Sequence, residues 1–280
     1  HRCDMRKVTI QAYAKINLYL DITGSLDGGY HALDTVMASV NCADFVTVGV
    51  RDDGDITVRM DGAACGEENT AYRAAKLVAD RVGAGIDVNI VKRIPYSAGL
   101  GGSSADSAAV LSAAKKLFDI PQCELDDMAL LCGSDVAYMM RGGFMRAKGR
   151  GEKLSEIDGL DYLLDKHLVV VQLCEGASTG AIYGEYDSLR IQPHGGADEA
   201  IERLKAGDVK GAVFNCLTVP AAKLCPTIVN SLYTLKSYSD AVAMTGSGSA
   251  VYAVFDSIFD AKKCYDEMKG FKYKGLLHFV

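Results

Sequence analysis

The stretch PYSAGLGGSSADSAAVL, at residues 95–111, has a composition that suits the binding of an anionic group. Gly99, Gly101 and Gly102 run directly into two serines. Glycine lets the backbone approach a ligand closely and adopt positive φ angles, and serine offers a hydroxyl. The elements on either side of such a loop would position it.

The residues on either side of the loop predict a strand and a helix. Residues 86–94 alternate between apolar and polar, and the alanine-rich segment Ala105–Phe118 predicts a helix with Ser103 or Ser104 as its N-cap. A helix N-terminus carries unpaired N–H donors and a partial positive charge, so this order suits a phosphate group. An ordinary capped turn explains the pattern equally well. The loop fits neither G-x-x-x-x-G-K-[ST] nor G-x-G-x-x-G, because no lysine follows it and the last glycine required is a serine.

An alternating segment near the N-terminus, residues 7–22, predicts a second strand. Its apolar face would carry Ile16, Leu18, Leu20 and Ile22, and its other face Lys15, Asn17, Tyr19 and Asp21. Lys15 and Asn17 would then lie side by side, since side chains two residues apart share a face. Taken alone, a lysine in a strand is usually a solvated edge charge.

Two further segments have clear local signals. Residues 70–82 have helical spacing, with Asn69 or Thr70 as a cap and Gly83 as a stop. The stretch MTGSGSAVYAVF at 244–255 predicts a glycine-rich loop that enters a strand. Taken alone, this loop indicates a tight turn or close backbone packing.

Composition limits the class of protein. The chain has 280 residues, 49% of them hydrophobic and 24% charged, which is enough for one large core or two moderate ones. It contains no apolar run of about 18 residues and no signal-peptide pattern, so we expect a soluble, cytoplasmic protein that binds no membrane. A net charge of -6 without a run of lysine or arginine argues against binding to nucleic acid. The nine cysteines include no C-x-x-C pair, and we expect all of them to be buried structural thiols.

Several motifs together resemble the kinase superfamily named for galactokinase, homoserine kinase, mevalonate kinase and phosphomevalonate kinase. The resemblance spans residues 12–255 and rests on six ordered stretches: AYAKINLYLDITG, GGYHALDTVM, NTAYRAAKLV, PYSAGLGGSSADSAAVL, GSDVAYMMRGG and MTGSGSAVYAVF. It implies a two-lobed α/β fold of the α+β type, with the active site in the cleft between the lobes. The implied domains are 5–150, with the catalytic groups and the glycine loop, and 151–280, which completes the cleft.

The order of these stretches is similar to the branch of the superfamily whose substrate carries a cytidine diphosphate group. That resemblance implies ATP-dependent phosphorylation, with Mg²⁺, of the 2-hydroxyl of 4-diphosphocytidyl-2-C-methyl-D-erythritol, a step in non-mevalonate isoprenoid precursor biosynthesis. Two alternatives stay open. One is a sibling kinase for homoserine, mevalonate or a sugar, and the other is a homologue that binds nucleotide without catalysis.

The resemblance also implies roles for individual residues. Asp135 matches the catalytic aspartate that accepts the hydroxyl proton, and Lys15 matches the lysine that would keep it ionised and stabilise the transferring group. The cofactor contacts implied are Asn69, Lys92, Gly99, Leu100, Gly101, Gly102, Ser103 and Ser104. The substrate contacts implied are Asn17, Tyr30, His31, Thr179 and Tyr183, with the tyrosines over the cytosine and the imidazole at its edge. A helix cap four residues before a core tyrosine explains Thr179 and Tyr183 nearly as well. No protein cluster is predicted to hold a metal, although Ser103 or Ser104 could contribute a hydroxyl to phosphate or Mg²⁺.

Two motifs depart from the pattern of this branch. Its loop usually has three consecutive glycines before Ser-Ser-Asp, whereas Ser103 occupies the third position here and Ala105 replaces a serine. The usual Asp-Val-Pro is Asp135-Val136-Ala137. Neither change removes a group that the chemistry requires, although Ser103 alters the side chain nearest the expected phosphate contacts.

Overall fold

The computed structural model describes residues 7–280, so Cys3 and the first two residues of the predicted domain 5–150 lie outside it. The strands are β1 Lys7–Leu26, β2 Tyr30–Arg51, β3 Ile56–Met60, β4 Ala63–Cys65, β5 Gly85–Val91, β6 Phe144–Gly149, β7 Lys153–Glu156, β8 His167–Gln172, β9 Phe214–Asn215, β10 Val242–Met244, β11 Val251–Phe255 and β12 Tyr273–His278. The helices are α1 Thr70–Val82, α2 Gly102–Phe118, α3 Gln122–Cys132, α4 Val136–Arg141, α5 Thr179–Leu189, α6 Ala197–Lys205, α7 Val209–Ala212, α8 Thr218–Leu224, α9 Thr227–Lys236 and α10 Ile258–Glu267.

The chain forms two compact units, and β1 and β2 pass through both. The first unit contains residues 7–14, Cys42–Ile94 and Gly101–Arg141, and the second contains Lys15–Asn41, Pro95–Leu100 and Gly142–Val280. The predicted domain boundary near residue 151 stays a prediction.

The first unit packs helices against a sheet. The C-terminal part of β2 pairs antiparallel with β5, β3 pairs parallel with β5, and β4 pairs antiparallel with β3. The helices α1 and α2 pack closely because the residues that they bury are mostly alanines. Small side chains let two helix backbones come close together, which brings the start of α2 beside the start of α1.

The second unit contains a four-stranded antiparallel sheet in the order β10-β11-β8-β12. In the same unit, the N-terminal part of β2 pairs antiparallel with β6, β6 pairs antiparallel with β7, and β1 pairs parallel with β9. A hydrophobic core joins β8, β10 and β11 to α5, α8, α9 and α10. Within residues 7–280 no helix has both the length and the apolar character needed to cross a bilayer.

Several local predictions are confirmed, and two boundaries are wrong. The helix predicted at 70–82 is α1, with the Asn69 side chain accepting a hydrogen bond from the Ala71 N–H and Gly83 ending the helix at φ 68°. The strand predicted at 86–94 ends at Val91, because the N–H groups of Arg93 and Ile94 donate to the Asp44 carboxylate instead of a neighbouring strand.

The helix predicted at 105–118 begins earlier than expected. It starts at Gly102, and its N-cap is Gly101 in a left-handed conformation (φ 74°), so neither Ser103 nor Ser104 is the cap. The alternation predicted for residues 7–22 gives two faces in β1, but both are buried from Ala14 to Ile22. The polar face of β1, which carries Lys15 and Asn17, is therefore buried by tertiary packing.

The cysteine prediction is partly wrong. The eight described cysteines are free thiols, and five of them are buried. Cys123 is exposed, and Cys65 and Cys174 are half-buried, so they are not the buried thiols that we expected.

Candidate active site

The first unit contains the helix end that follows the glycine loop. Ser103 lies in the first turn of α2 with its side chain exposed, and its carbonyl oxygen accepts hydrogen bonds from Thr70 Oγ1 (2.9 Å) and Ser107 Oγ (3.1 Å). Its φ is not positive, whereas Gly101 has φ 74°. A serine is therefore compatible with the position where the related loops have glycine, because the helical backbone there does not require one.

Lys92 lies behind the start of this helix. Its side chain is 6% exposed, and its Nζ donates to Asp44 Oδ2 (2.5 Å) and Asp106 Oδ2 (2.8 Å). A Cβ added at Gly102 would lie 3.2 Å from the Lys92 Nζ, so the ammonium packs directly against the loop backbone. Its predicted adenine contact stays a prediction, and the structure gives the ammonium two carboxylate partners.

Charge in this cluster is unbalanced in favour of the carboxylates. Burial alone would lower the pKa of Lys92, but the charges of Asp106 and Asp44 outweigh it and hold the pKa above its ordinary value. Burial raises the pKa of Asp106 to about 7, with the charge of Asp44 adding to the rise and that of Lys92 opposing it. Within residues 7–280, Asp106 Oδ1 has no hydrogen-bond partner. A proton on Asp106 would balance the charge of the cluster.

Asp135 lies immediately before α4 in the same unit and is half-buried. Its carbonyl oxygen accepts from the Met139 N–H at 2.9 Å, so Asp135 occupies the position of a helix cap. A Cβ added at Gly133 would lie 4.0 Å from Ser104 Oγ, which brings Ser104 next to the turn that precedes Asp135. Ser104 and Asp135 thus place side-chain oxygen atoms that could ligate a cation on neighbouring segments of one unit.

Asn69 has a structural partner as well as a predicted ligand. Its Oδ1 accepts from the Ala71 N–H at 2.9 Å and so caps α1. Its amide nitrogen is not used by this cap. The predicted contact of Asn69 with adenine stays a prediction. Capping α1 is a structural role that Asn69 has in addition.

In the second unit, Lys15 and Asn17 lie together as predicted. The Lys15 Nζ donates to Asn17 Oδ1 (2.7 Å), and Asn17 Oδ1 also accepts from the Gly246 N–H (2.9 Å). The Asn17 Nδ2 donates to Thr35 Oγ1 (2.8 Å), and the Asn17 side chain is 3% exposed. Asn17 therefore orients Lys15, while its predicted contact with the substrate stays a prediction.

The second glycine cluster forms the loop between β10 and β11, as the sequence predicted. A Cβ added at Gly99, which has φ 76°, would lie 2.1 Å from the Thr245 carbonyl oxygen. A Cβ added at Gly246, with φ 54°, would lie 2.7 Å from the Gly99 carbonyl oxygen and 3.1 Å from the Lys15 Nζ. The two glycine segments therefore touch backbone to backbone beside Lys15, and Leu100 anchors them by accepting a hydrogen bond from the Lys15 N–H (3.0 Å).

Aromatic side chains gather at the other end of β1 and β2. The His31 ring lies 4.9 Å from the Tyr183 ring of α5, and its Nε2 lies 2.7 Å from Asp187 Oδ1. The Arg150 guanidinium covers one face of the Tyr30 ring at 3.6 Å, and Tyr30 is otherwise exposed. The structure thus brings Tyr183 to His31, and their predicted contacts with a substrate stay a prediction.

Thr179 is the first residue of α5, and its Oγ1 lies 3.1 Å from Ser247 Oγ of the second glycine cluster. The cap of this helix is Ser178, whose Oγ accepts from the Ala181 N–H. Thr179 is therefore not needed as a cap. Its predicted substrate contact stays a prediction.

Sequence reasoning missed several residues that hold the predicted ones in place. They are Asp44, Asp106, Thr35, Thr245, Arg150 and Asp187. Only Asp106 had a usable signal, since it lies on the first turns of a helix that follows the glycine loop. The others meet their partners through contacts between distant parts of the chain.

Comparison with known proteins identifies the family. Residues 69–145 match the N-terminal domain of GHMP kinases, and residues 193–274 match the GHMP kinases C terminal domain. A 4-diphosphocytidyl-2-C-methyl-D-erythritol kinase from Clostridium botulinum (strain Eklund 17B / Type B) is 37% identical over 274 residues, which cover 94% of this chain and 96% of that protein. This chain belongs to the 4-diphosphocytidyl-2-C-methyl-D-erythritol kinase family of GHMP kinases. A family member from Bacillus pumilus (strain SAFR-032) is 33% identical over 276 residues, or 95% of this chain and 94% of that protein.

Solved structures agree with the family assignment. One of 4-(cytidine 5'-diphospho)-2C-methyl-D-erythritol kinase is 28% identical, with a TM-score of 0.79, and covers 97% of this chain and 99% of that chain. A homoserine kinase from Cytophaga hutchinsonii has a TM-score of 0.75 at 15% identity, over 100% of this chain and 96% of that chain, and it supports the fold alone. The predicted α/β fold of small-molecule kinases is confirmed, and the chain is a small-molecule kinase.

Proposed function

We propose that this kinase transfers the γ-phosphoryl group of ATP to the 2-hydroxyl of 4-diphosphocytidyl-2-C-methyl-D-erythritol, a step in non-mevalonate isoprenoid precursor biosynthesis. The observation that carries the proposal is the aromatic cluster of the His31 and Tyr183 rings in the second unit, with the exposed Tyr30 ring next to His31 in the sequence. A pyrimidine base presents a flat face and a polar edge, which suit an aromatic ring and an imidazole. Homoserine, mevalonate and sugars have no base for such a cluster to bind.

Asp135 is the proposed proton acceptor. An aspartate within hydrogen-bond reach of the attacking hydroxyl orients it and takes its proton during transfer. Lys15 is the proposed cation for the transferring phosphoryl group, because a fixed ammonium stabilises the charge that develops there. The hydrogen bond from Lys15 to Asn17 supports this role, since a flexible side chain held in one orientation loses less entropy in the reaction.

The N–H groups at the start of α2 are the proposed phosphate contacts. They belong to the residues that follow Gly101, and a helix N-terminus attracts anions. Among residues 7–280 no group of three acidic, histidine or cysteine side chains is placed to hold a metal ion. Mg²⁺ in kinases is usually held by one or two oxygen ligands together with the nucleotide phosphates, and Ser104 and Asp135 offer such oxygens. When bound, the cation would supply positive charge to the phosphate oxygens.

We also propose a cytoplasmic location, a substrate that is a small molecule with a cytidine diphosphate group, and a domain boundary near residue 151. These statements rest on the resemblance to the family.

The experiment that tests this function is ADP release from Mg·ATP in the presence of 4-diphosphocytidyl-2-C-methyl-D-erythritol. The same assay is run with 2-C-methyl-D-erythritol 4-phosphate, which lacks the cytidine. We expect turnover that requires the cytidine and that falls by about a hundredfold or more in Asp135→Asn, since a general base contributes about that factor. Asp127→Asn on α3, an exposed aspartate in the same unit, is the matched control and should keep full activity.

Other outcomes separate the alternatives. Phosphorylation of homoserine, mevalonate or a sugar without any cytidine requirement would identify a sibling kinase. ATP binding without phosphoryl transfer to any alcohol, by a folded protein in the presence of Mg²⁺, would identify a non-catalytic homologue.

A further inference from the structure

The α5 helix holds the His31 ring through three of its side chains. Tyr183 and Tyr186 contact the ring at centroid distances of 4.9 Å and 6.2 Å, and Asp187 Oδ1 lies 2.7 Å from Nε2. These positions are spaced by three and four residues, so they lie on one face of the helix. The His31 side chain is 14% exposed, while Asp187 is 60% exposed. His31 is therefore fixed by a helix that begins 148 residues later in the sequence, at Thr179.

The contact with Asp187 decides which ring nitrogen carries the proton. An ionised carboxylate only accepts hydrogen bonds, so the Nε2 of His31 must donate. In a neutral imidazole the other nitrogen, Nδ1, then has a lone pair and accepts. Within residues 7–280 Nδ1 has no hydrogen-bond partner and is not among the buried polar atoms that lack one, so a ligand can reach it.

We propose that Asp187 is a positioning residue that fixes His31 as the Nε2–H tautomer, so that Nδ1 accepts a hydrogen bond from the exocyclic amine of cytosine. This inference rests on the proposed function. Uracil has a carbonyl oxygen where cytosine has that amine, and two acceptors facing each other repel. The contact with Asp187 would thus make the base site prefer cytidine over uridine.

If Asp187 had only a structural role, its removal would lower the stability of the protein and weaken the binding of ATP as much as that of the cytidine ligand. The proposed role differs, because the Asp187 carboxylate is 60% exposed and the loss of its hydrogen bond to His31 should leave stability almost unchanged. The α5 helix offers a matched control in Glu185, whose carboxylate pairs with Lys223. Glu185→Gln removes an ion pair from the same helix without touching His31.

The test measures binding of cytidine 5′-diphosphate and uridine 5′-diphosphate by calorimetric titration, together with KM and kcat for the cytidine substrate and for ATP. We expect wild type and Glu185→Gln to prefer cytidine 5′-diphosphate by at least about tenfold, because an unpaired acceptor at the site is costly. In Asp187→Ala we expect this preference to fall to about threefold or less, with a KM about tenfold higher for the cytidine substrate and unchanged for ATP. Asp187→Asn, whose Oδ1 still accepts from Nε2, should restore most of the preference.

Three results would overturn the inference. The first is an unchanged preference for cytidine 5′-diphosphate in Asp187→Ala. The second is a loss of this preference that is as large in Asp187→Asn as in Asp187→Ala. The third is a KM for ATP that rises as much as the KM for the cytidine substrate in Asp187→Ala, together with a lower melting temperature. The binding measurement does not depend on turnover. A wild type that fails to phosphorylate the cytidine substrate but binds cytidine 5′-diphosphate with this dependence on Asp187 would contradict the proposed function and support the base-recognition role.

Discussion

At the scale of single residues, the buried cluster beside the glycine loop contains two carboxylates and one ammonium. Asp44 accepts from the backbone of Arg93 and Ile94 and from the Lys92 Nζ, so its oxygens are well satisfied. Asp106 has the Lys92 Nζ for one oxygen and no partner within residues 7–280 for the other. The proton that balances this cluster therefore belongs on Asp106.

This cluster predicts a dependence of stability on pH. Burial raises the pKa of Asp106 from its ordinary value of 3.8 to about 7, so the folded chain binds this proton more tightly than the unfolded chain. Its contribution to stability is full below the unfolded pKa and is lost as the pH rises through the folded pKa. Asp106→Asn has no such proton to lose. We therefore expect the difference in free energy of unfolding, variant minus wild type, to increase by about 2 kcal/mol between pH 5 and pH 7.

Urea unfolding at both pH values measures this difference. Asp127→Asn, which removes an exposed carboxylate from the same unit, is the control and should follow wild type. Parallel pH profiles for wild type and Asp106→Asn would contradict the prediction.

At the scale of elements, α1 shows how one side chain can have two roles. Asn69 caps the helix through its Oδ1, and the family resemblance gives the same residue to the adenine site. A serine at this position can cap a helix but has no amide to bind a base. The two roles can therefore be separated by choice of substitution.

We expect Asn69→Ser to keep the free energy of unfolding within about 0.5 kcal/mol of wild type, whereas Asn69→Ala should lose about 1 kcal/mol with the cap. Both variants should raise the KM for ATP by a similar factor, because both lack the amide. Chemical denaturation and steady-state kinetics measure the two effects. A normal KM for ATP in both variants would show that Asn69 is a cap only.

The contact between the two glycine segments is the second feature at this scale. Gly99 has a positive φ, and a Cβ there would overlap the Thr245 carbonyl oxygen. Backbone cannot move aside as a flexible side chain can, so this contact requires glycine.

We expect Gly99→Ala to destabilise the protein by about 2–4 kcal/mol, from steric overlap together with an unfavourable φ. Gly184→Ala is the matched control, because Gly184 lies inside α5 and an added Cβ would meet nothing within 4 Å. That change should stabilise the protein by about 0.5–1 kcal/mol. Thermal unfolding of both variants measures the difference, and equal effects would show that the two segments separate easily.

At the scale of the whole molecule, residues far apart in sequence complete the second unit. Phe279 is 2% exposed, bridges to Val40 of β2 and packs against the Phe144 ring with centroids 5.7 Å apart. Beside it, the adjacent residue His278 donates its N–H to Asn41 Oδ1 (2.8 Å). The stability of this unit therefore depends on residues near the end of the sequence.

We expect Phe279→Ala to lower the free energy of unfolding by about 3–5 kcal/mol, because it leaves a cavity in the core. Phe259→Ala makes the same chemical change at a side chain that is 75% exposed, and it should cost no more than about 0.5 kcal/mol. Differential scanning calorimetry compares the two variants. A similar change in melting temperature would mean that the contacts of Phe279 contribute little.

The sequence by itself determined the features that depend on near neighbours. The cap, span and stop of α1 follow from Asn69, the helical spacing and Gly83, all within about four turns of chain. The strand–glycine loop–helix order and the pairing of Lys15 with Asn17 are local in the same way, because side chains two apart share a strand face. The ordered motifs also identified the kinase superfamily.

Only the tertiary structure decided the features that depend on distant partners. The strand before the loop ends at Val91 because Asp44, about fifty residues away, takes its backbone donors. The orienting role of Asn17 depends on Gly246, and the tautomer of His31 depends on Asp187, which is 156 residues away. A local pattern shows which groups a residue carries, but hydrogen bonds and burial are set by the segments that folding brings alongside it, and these have no fixed spacing in the sequence.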